Sequence, residues 1–132
     1  MAAPGETDLE KMLATLRVER RPGVFAFVAV SAPAPDLVAA AHAMVIEGEL
    51  TTLVLPVAAA ELAGLTTEPE MAWLSLTVQS SLEAVGLTAA FSKTLGEVGI
   101  PCNVLAGFHH DHILVPVDRA QDAVDALTVS SN

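Results

Sequence analysis

Residues 73–117, WLSLTVQSSLEAVGLTAAFSKTLGEVGIPCNVLAGFHHDHILVPV, decide the fold. Leu74, Leu76 and Val78 alternate with Ser75, Thr77 and Gln79, the period of two that gives a strand one apolar and one polar face. Ser80 with Glu83 spells a capping box ahead of a helix. Val85, Ala89, Leu95 and Val98 recur near helical spacing, leaving Ser92, Lys93 and Glu97 to solvent, and Gly99 suits a left-handed stop. Cys102 to Ala106 and Ile113 to Val117 are short and apolar and lie close together, so they are expected to form an antiparallel hairpin whose turn carries Phe108, His109, His110, Asp111 and His112.

Working outward, the same grammar recurs upstream. Val24 to Ser31 is a nearly continuous apolar strand ended by Pro33 and Pro35. Asp36 is an expected N-cap for an alanine-rich helix reaching Glu47, with His42 on its apolar background and Gly48 as its stop. Thr51 to Leu55 reads as a strand closed by Pro56, and Val57 to Ala63 as a short helix stopped by Gly64. A further helix is expected from Asp118, with Gln121 completing a capping signature, through Ala123, Val124 and Leu127. At the start, Thr7 with Glu10 and the stripe Leu9, Met12, Leu13 and Leu16 predict a docking helix over 8–16, followed by Arg17, Arg20 and Arg21, which read as a solvated charged turn or as an anion contact for a carboxylate or phosphate.

The chain therefore reads as two related units: residues 1–66, an abbreviated unit with a leading helix, and residues 71–132, joined by a linker near Thr66 to Glu70 and sharing one folding unit. Three segments carry a family resemblance: Ser81 to Leu87, then Val98-Gly99-Ile100 before Asn103-Val104, and His112 to Pro116. Together they resemble the ACT domain, and the whole chain is similar to free-standing bacterial proteins built from tandem ACT-like units. The resemblance implies an α+β, ferredoxin-like fold with antiparallel or mixed sheets and helices packed on one face. It also implies a non-catalytic regulatory role in which an amino acid binds at the turn Glu83, Ala84, Val85, Gly86 and Leu87 and on the strand at Asn103 and Val104. Where ACT domains carry proline before the glycine of that turn, this chain has Val85. Physically, amides at a helix N-terminus suit a ligand carboxylate, because the dipole and the unsatisfied N–H groups both favour an anion.

Composition excludes other classes. Lys plus Arg total 6 against 16 Asp plus Glu, a net charge of −10, which leaves no basic surface for nucleic acid. The single cysteine, Cys102, forms no internal disulfide and fits a reducing compartment. No apolar run reaches the ~18 residues of a membrane span and no leader is seen, so a cytoplasmic protein is expected. There is no nucleophile elbow and no phosphate-cradling loop. No cofactor is expected. His110 and His112 fall on one face if the hairpin stays extended, which keeps open a metal centre or an enzyme built on residues 109–112; a purely structural oligomerisation module is the remaining alternative. Because neither unit shows a full set of strands, pairing of two copies into a homodimer is expected.

Overall fold

The structure, a computed structural model, describes residues 14–77 and 86–129. Its strands and helices divide into two compact units, 22–72 and the segments 1–21 and 73–132, so the leading segment groups with the second half of the chain.

In the 22–72 unit, β2 (Phe25–Val30), β3 (Ala43–Glu47) and β4 (Leu50–Pro56) form an antiparallel sheet in the order β3-β4-β2. Phe25 also pairs with Met71, where β5 begins. Helices α1 (Pro35–Ala40) and α2 (Val57–Leu62) follow β2 and β4. Opposite pairs such as Ala26 with Leu55 and Val28 with Leu53 share a face, and these four residues with Ala60 form the buried core, edged by Leu37, Ala40 and Val57. Gly64, at φ +72, ends α2, with the Leu65 amide returning to the Ala60 carbonyl.

Three expectations for this unit are corrected. The helix expected from Asp36 to Glu47 stops at Ala40, and its N-cap is Ala34, with Pro35 at the first position. After extended Ala41 the chain turns into β3, because the His42 amide finds the Val54 carbonyl at 2.9 Å and Met44, Val45 and Ile46 suit a strand better than a helix. Gly48, at φ +65, makes a two-residue hairpin turn instead of a helix stop, and Thr52 Oγ1 donates to the Glu47 carboxylate across it. His42 is thus outside any helix, with its ring edge-on to Phe25 at 4.9 Å. The unit is not abbreviated by a strand.

In the other unit the strand order is β1-β5-β7-β6, from β1 (Arg17–Arg20), β5 (Met71–Thr77), β7 (Asp111–Pro116) and β6 (Asn103–Ala106). The expected hairpin is present, with Gly107 to His110 as its loop. Arg17 and Arg20, expected in a turn, lie in β1, which pairs antiparallel with β5 from Arg17 opposite Thr77 to Arg20 opposite Leu74. The strand beside β5 in this unit is thus supplied from the N-terminal side. Of the expected leading helix, Ala14 is helical, Thr15 is in a turn and Leu16 is buried just before β1, while residues 8–13 and the Ser80–Glu83 box lie outside the described residues.

Helix α3 (Leu87–Glu97) begins directly after Gly86. It buries Leu87, Phe91 and Leu95, while Ala89 and Val98, expected inside, are exposed. Spacing of four puts those three on one stripe, and the aromatic at 91 fixes which stripe goes in. Helix α4 (Ala120–Val129), after a 3-10 turn at Val117–Arg119, packs on α3, β1 and β7 through Ala120, Ala123 and Leu127. Asp118 and Gln121 form no capping box: the 3-10 turn has no side-chain cap, and Gln121 donates to Asp125 at 2.9 Å.

Candidate functional site

Gly86 is the N-cap of α3 and sits at φ +88, a left-handed conformation that glycine adopts without the penalty a Cβ brings. The first intrahelical bond runs from the Ala90 amide to the Gly86 carbonyl at 2.9 Å. The amides of Leu87, Thr88 and Ala89 therefore precede the helical ladder, and among the described residues no side chain caps them. A Cβ built on Gly86 would meet nothing within 4 Å among the described residues. Of the expected turn residues, Glu83, Ala84 and Val85 lie outside the described residues; Gly86 and Leu87 stand at the helix start, with the Leu87 side chain buried.

Asn103 and Val104 lie on β6, opposite Leu114 and Ile113. The Asn103 side-chain amide donates to the Leu114 carbonyl at 3.3 Å, which fixes its orientation on the hairpin, and Val104 is exposed. Strand and helix start are separate elements, and no hydrogen bond joins the two groups among the described residues.

The histidines part company. His109 and His110 sit in the exposed hairpin loop beside Phe108, their rings 6.3 Å apart. His112 is on β7, half-buried, and joins residues far away in sequence: its Nδ1 shares a 2.8 Å hydrogen bond with Ser75 Oγ and takes the Trp73 indole N–H at 3.3 Å. The same indole N–H reaches Ser75 Oγ at 3.3 Å, and the Arg21 guanidinium lies over the Trp73 ring at 4.0 Å. Among the described residues no three His, Cys, Asp or Glu side chains gather as a metal site would require. Sequence reading singled out His112 and Arg21 without bringing them together, and missed Trp73 and Ser75. The alternation of β5 was the available signal, since it puts Trp73 and Ser75 on one face; pairing with β1 and β7 supplied the rest.

Gly107 allows this packing. A Cβ there would lie 2.9 Å from the His110 carbonyl oxygen and 3.0 Å from His112 Nε2. Burial, chiefly, with the charge of Arg21 and then His110, holds the His112 pKa below its ordinary value, against an opposing pull from Asp111. A depressed histidine pKa means that the unfolded chain binds the proton more readily, so the associated stability is present above pH ~6.5 and lost as pH falls through the folded value. We expect His112→Asn to flatten the acid side of the stability curve relative to wild type; parallel curves in urea titrations at stepped pH would contradict this. Cys102, half-buried, has its thiol pKa raised by burial, against a hydrogen bond with Ser92 that lowers it, so the reactive thiolate is disfavoured.

Taken together, these elements define an α+β, ferredoxin-like protein with a βαββα grammar in each unit. ACT-domain family profiles match residues 4–72 and 68–129. The chain belongs to the ACT-domain family. It is similar to a Vibrio cholerae protein of unknown function, described as a possible transport protein, at 40% identity and TM-score 0.89 over 97% of this chain and 99% of that one. At the level of fold alone it is similar to an Agrobacterium tumefaciens protein, with 16% identity and TM-score 0.65 over 88% of this chain and 89% of that one. The regulatory subunit of aspartate kinase from Thermus flavus shares the fold likewise, with 12% identity and TM-score 0.58 over 89% of this chain and 97% of that one. No match is found among curated proteins. Membership in the ACT family supports a regulatory, ligand-binding role.

Proposed function

We propose that this protein is a non-catalytic regulatory module that binds an amino acid at the turn entering α3. The observation that carries the reading is the left-handed Gly86 at the start of α3, whose first three amides, capped by no side chain among the described residues, suit an incoming carboxylate. The turn residues 83–87 contact the ligand, and Asn103 and Val104 on β6 belong to the same site. Asn103 Oδ1, which accepts no hydrogen bond among the described residues, is suited to an ammonium group. The printed description of the Thermus flavus neighbour, a regulatory subunit of aspartate kinase, is in keeping with such a role. No helix among the described residues is long and apolar enough to cross a membrane, and we assign the protein to the cytoplasm.

Ligand that binds only the native state raises stability by mass action, about 2.7 kcal/mol at a hundredfold excess over Kd. In a thermal-shift screen of the common amino acids, at least one is expected to raise Tm, and Gly86→Val is expected to remain folded and lose the response. A screen without any shift, or a variant with the full response, would remove the turn from the site.

The working unit in this reading is a homodimer. Edge strand β3 supports it: Met44, Val45 and Ile46 are 49%, 46% and 72% exposed, a run of apolar groups on a sheet edge that no strand among the described residues covers. Light scattering is expected to give about twice the 13.7 kDa chain mass; a stable monomer at micromolar concentration would contradict the pairing.

A further inference from the structure

The side chains that join β5 to β7 fix the protonation state of His112. Its Nδ1 lies 2.8 Å from Ser75 Oγ and 3.3 Å from the Trp73 indole nitrogen. An indole N–H only donates, so Nδ1 meets it as an acceptor and the neutral ring carries its hydrogen on Nε2. Nδ1 takes the Ser75 hydroxyl hydrogen as well, and Ser75 Oγ accepts from the same indole at 3.3 Å. The other edge of the ring faces the hairpin loop, where a Cβ on Gly107 would lie 3.0 Å from Nε2 and 3.3 Å from Cδ2. That loop is closed by the Gly107 amide on the His110 carbonyl at 2.9 Å. One imidazole thus touches β5 at one edge and the 107–110 loop at the other.

We propose that Trp73, Ser75 and His112 form an acid-sensitive latch: a proton taken up at His112 turns its ring away from β5 and loosens the 107–110 loop packed against it. A histidinium carries hydrogen on both nitrogens and accepts at neither. Its Nδ1–H would face the indole N–H, and the Ser75 hydroxyl would have to reverse to receive it. The Arg21 guanidinium, 4.0 Å from the centroid of the Trp73 ring, adds a like charge on that side. Trp73 is buried and Ser75 is a short side chain set in a strand, so half-buried His112 is the member that moves. Turned outward, its charge regains water. Because the loop rests on the Nε2 edge, it shifts with the ring.

The surrounding charges set the pH at which this happens. Among the described residues, Arg21 follows β1, and Glu19 opposite Ser75 and Arg17 opposite Thr77 lie on the same face of that strand. His110 and Asp111 come from the hairpin, β6 presents the apolar Leu105 opposite His112, and α4 meets β7 through Ala120, Ala123 and Leu127. Burial, then Arg21 and His110, keep the imidazole neutral to lower pH than usual, and Asp111 pulls the other way. With the folded value depressed, the latch is closed above about pH 6.5 and opens as pH falls through that lower value. The latch uses neither Gly86 nor Asn103, so it stands apart from ligand binding at the turn.

Trp73 is the only tryptophan and the chain has no tyrosine, so intrinsic fluorescence of the full chain reads this contact directly. On acidification the emission should move to longer wavelength in one step with a midpoint below about pH 6.5, while far-UV circular dichroism stays constant. Heteronuclear NOEs of the amides at 107–110 should fall through the same midpoint as the loop gains fast motion. His112→Asn should lose the step. Arg21→Gln should raise the midpoint and Asp111→Asn lower it, opposite shifts that a mere packing role does not produce. That pair carries the test if His112→Asn fails to fold. Gly107→Ala, whose Cβ crowds Nε2, should be red-shifted from wild type already at neutral pH. A spectrum independent of pH, a step that survives in His112→Asn, midpoints that do not move in opposite directions, or loop NOEs constant across the step would overturn the latch. So would loss of circular dichroism in the same step, which would mark global unfolding, or a Gly107→Ala spectrum equal to wild type.

Discussion

Glu19→Pro is expected to destabilise the protein by on the order of 3 kcal/mol, although the side chain it replaces is exposed. The Arg21 amide bonds the Trp73 carbonyl, so hydrogen-bonded pairs along this ladder fall at Arg21/Trp73, Glu19/Ser75 and Arg17/Thr77. Proline at 19 removes the donor in the middle of the set. It also loosens Val18 from buried Leu76 and displaces the strand that α4 packs upon. Glu19→Ala keeps the backbone donor and should fall within about 0.5 kcal/mol of wild type. Urea unfolding of the pair separates backbone from side chain: equal stabilities would show that β1 is not what closes this unit.

Phe91→Ala should cost about 3–5 kcal/mol. The ring is fully buried on α3, one turn from Leu87 and one from Leu95, both also inside, and the surrounding helix and sheet leave little freedom to collapse into the space. Ala89→Ser, on the exposed side of the same helix, should change stability by no more than about 0.5 kcal/mol. A large loss at 89 with a small one at 91 would mean that the helix is rotated relative to the structure described above.

That rotation is where sequence reading and structure part for α3. The stretch from Leu82 to Val98 contains two interleaved apolar sets, and helical spacing alone does not rank Val85, Ala89 and Val98 below Leu87, Phe91 and Leu95. Starting the helix at Gly86 rather than before it shifts the choice, and size decides it, since a phenylalanine loses more than an alanine by staying in water. The hairpin around residues 103–116 was legible because its strands are short, apolar and close in sequence. Strand β3 was not: alanines at 39–41 extend a helical pattern into residues whose strand pairing with β4 only becomes evident from the Gly48 turn. Strand β1 was the least legible, because RVER is nearly all charged and its partner lies more than fifty residues away. For the same reason the cluster of Arg21, just past β1, with Trp73 and Ser75 on β5 and His112 on β7 could not be assembled from local spacing, whereas Gly86 could be singled out from its place before a helix.

The claim that this ACT-domain protein takes an amino acid at the turn into α3 is tested most directly by backbone amide NMR. Titration with the amino acid that most raises Tm should move the amide signals of Leu87, Thr88 and Ala89 in a saturable way, ahead of those in the interior of α3, and Gly86→Val should abolish the movement. Amides at 87–89 that stay still while the ligand binds elsewhere, or that stay still with every common amino acid at millimolar concentration, would contradict it.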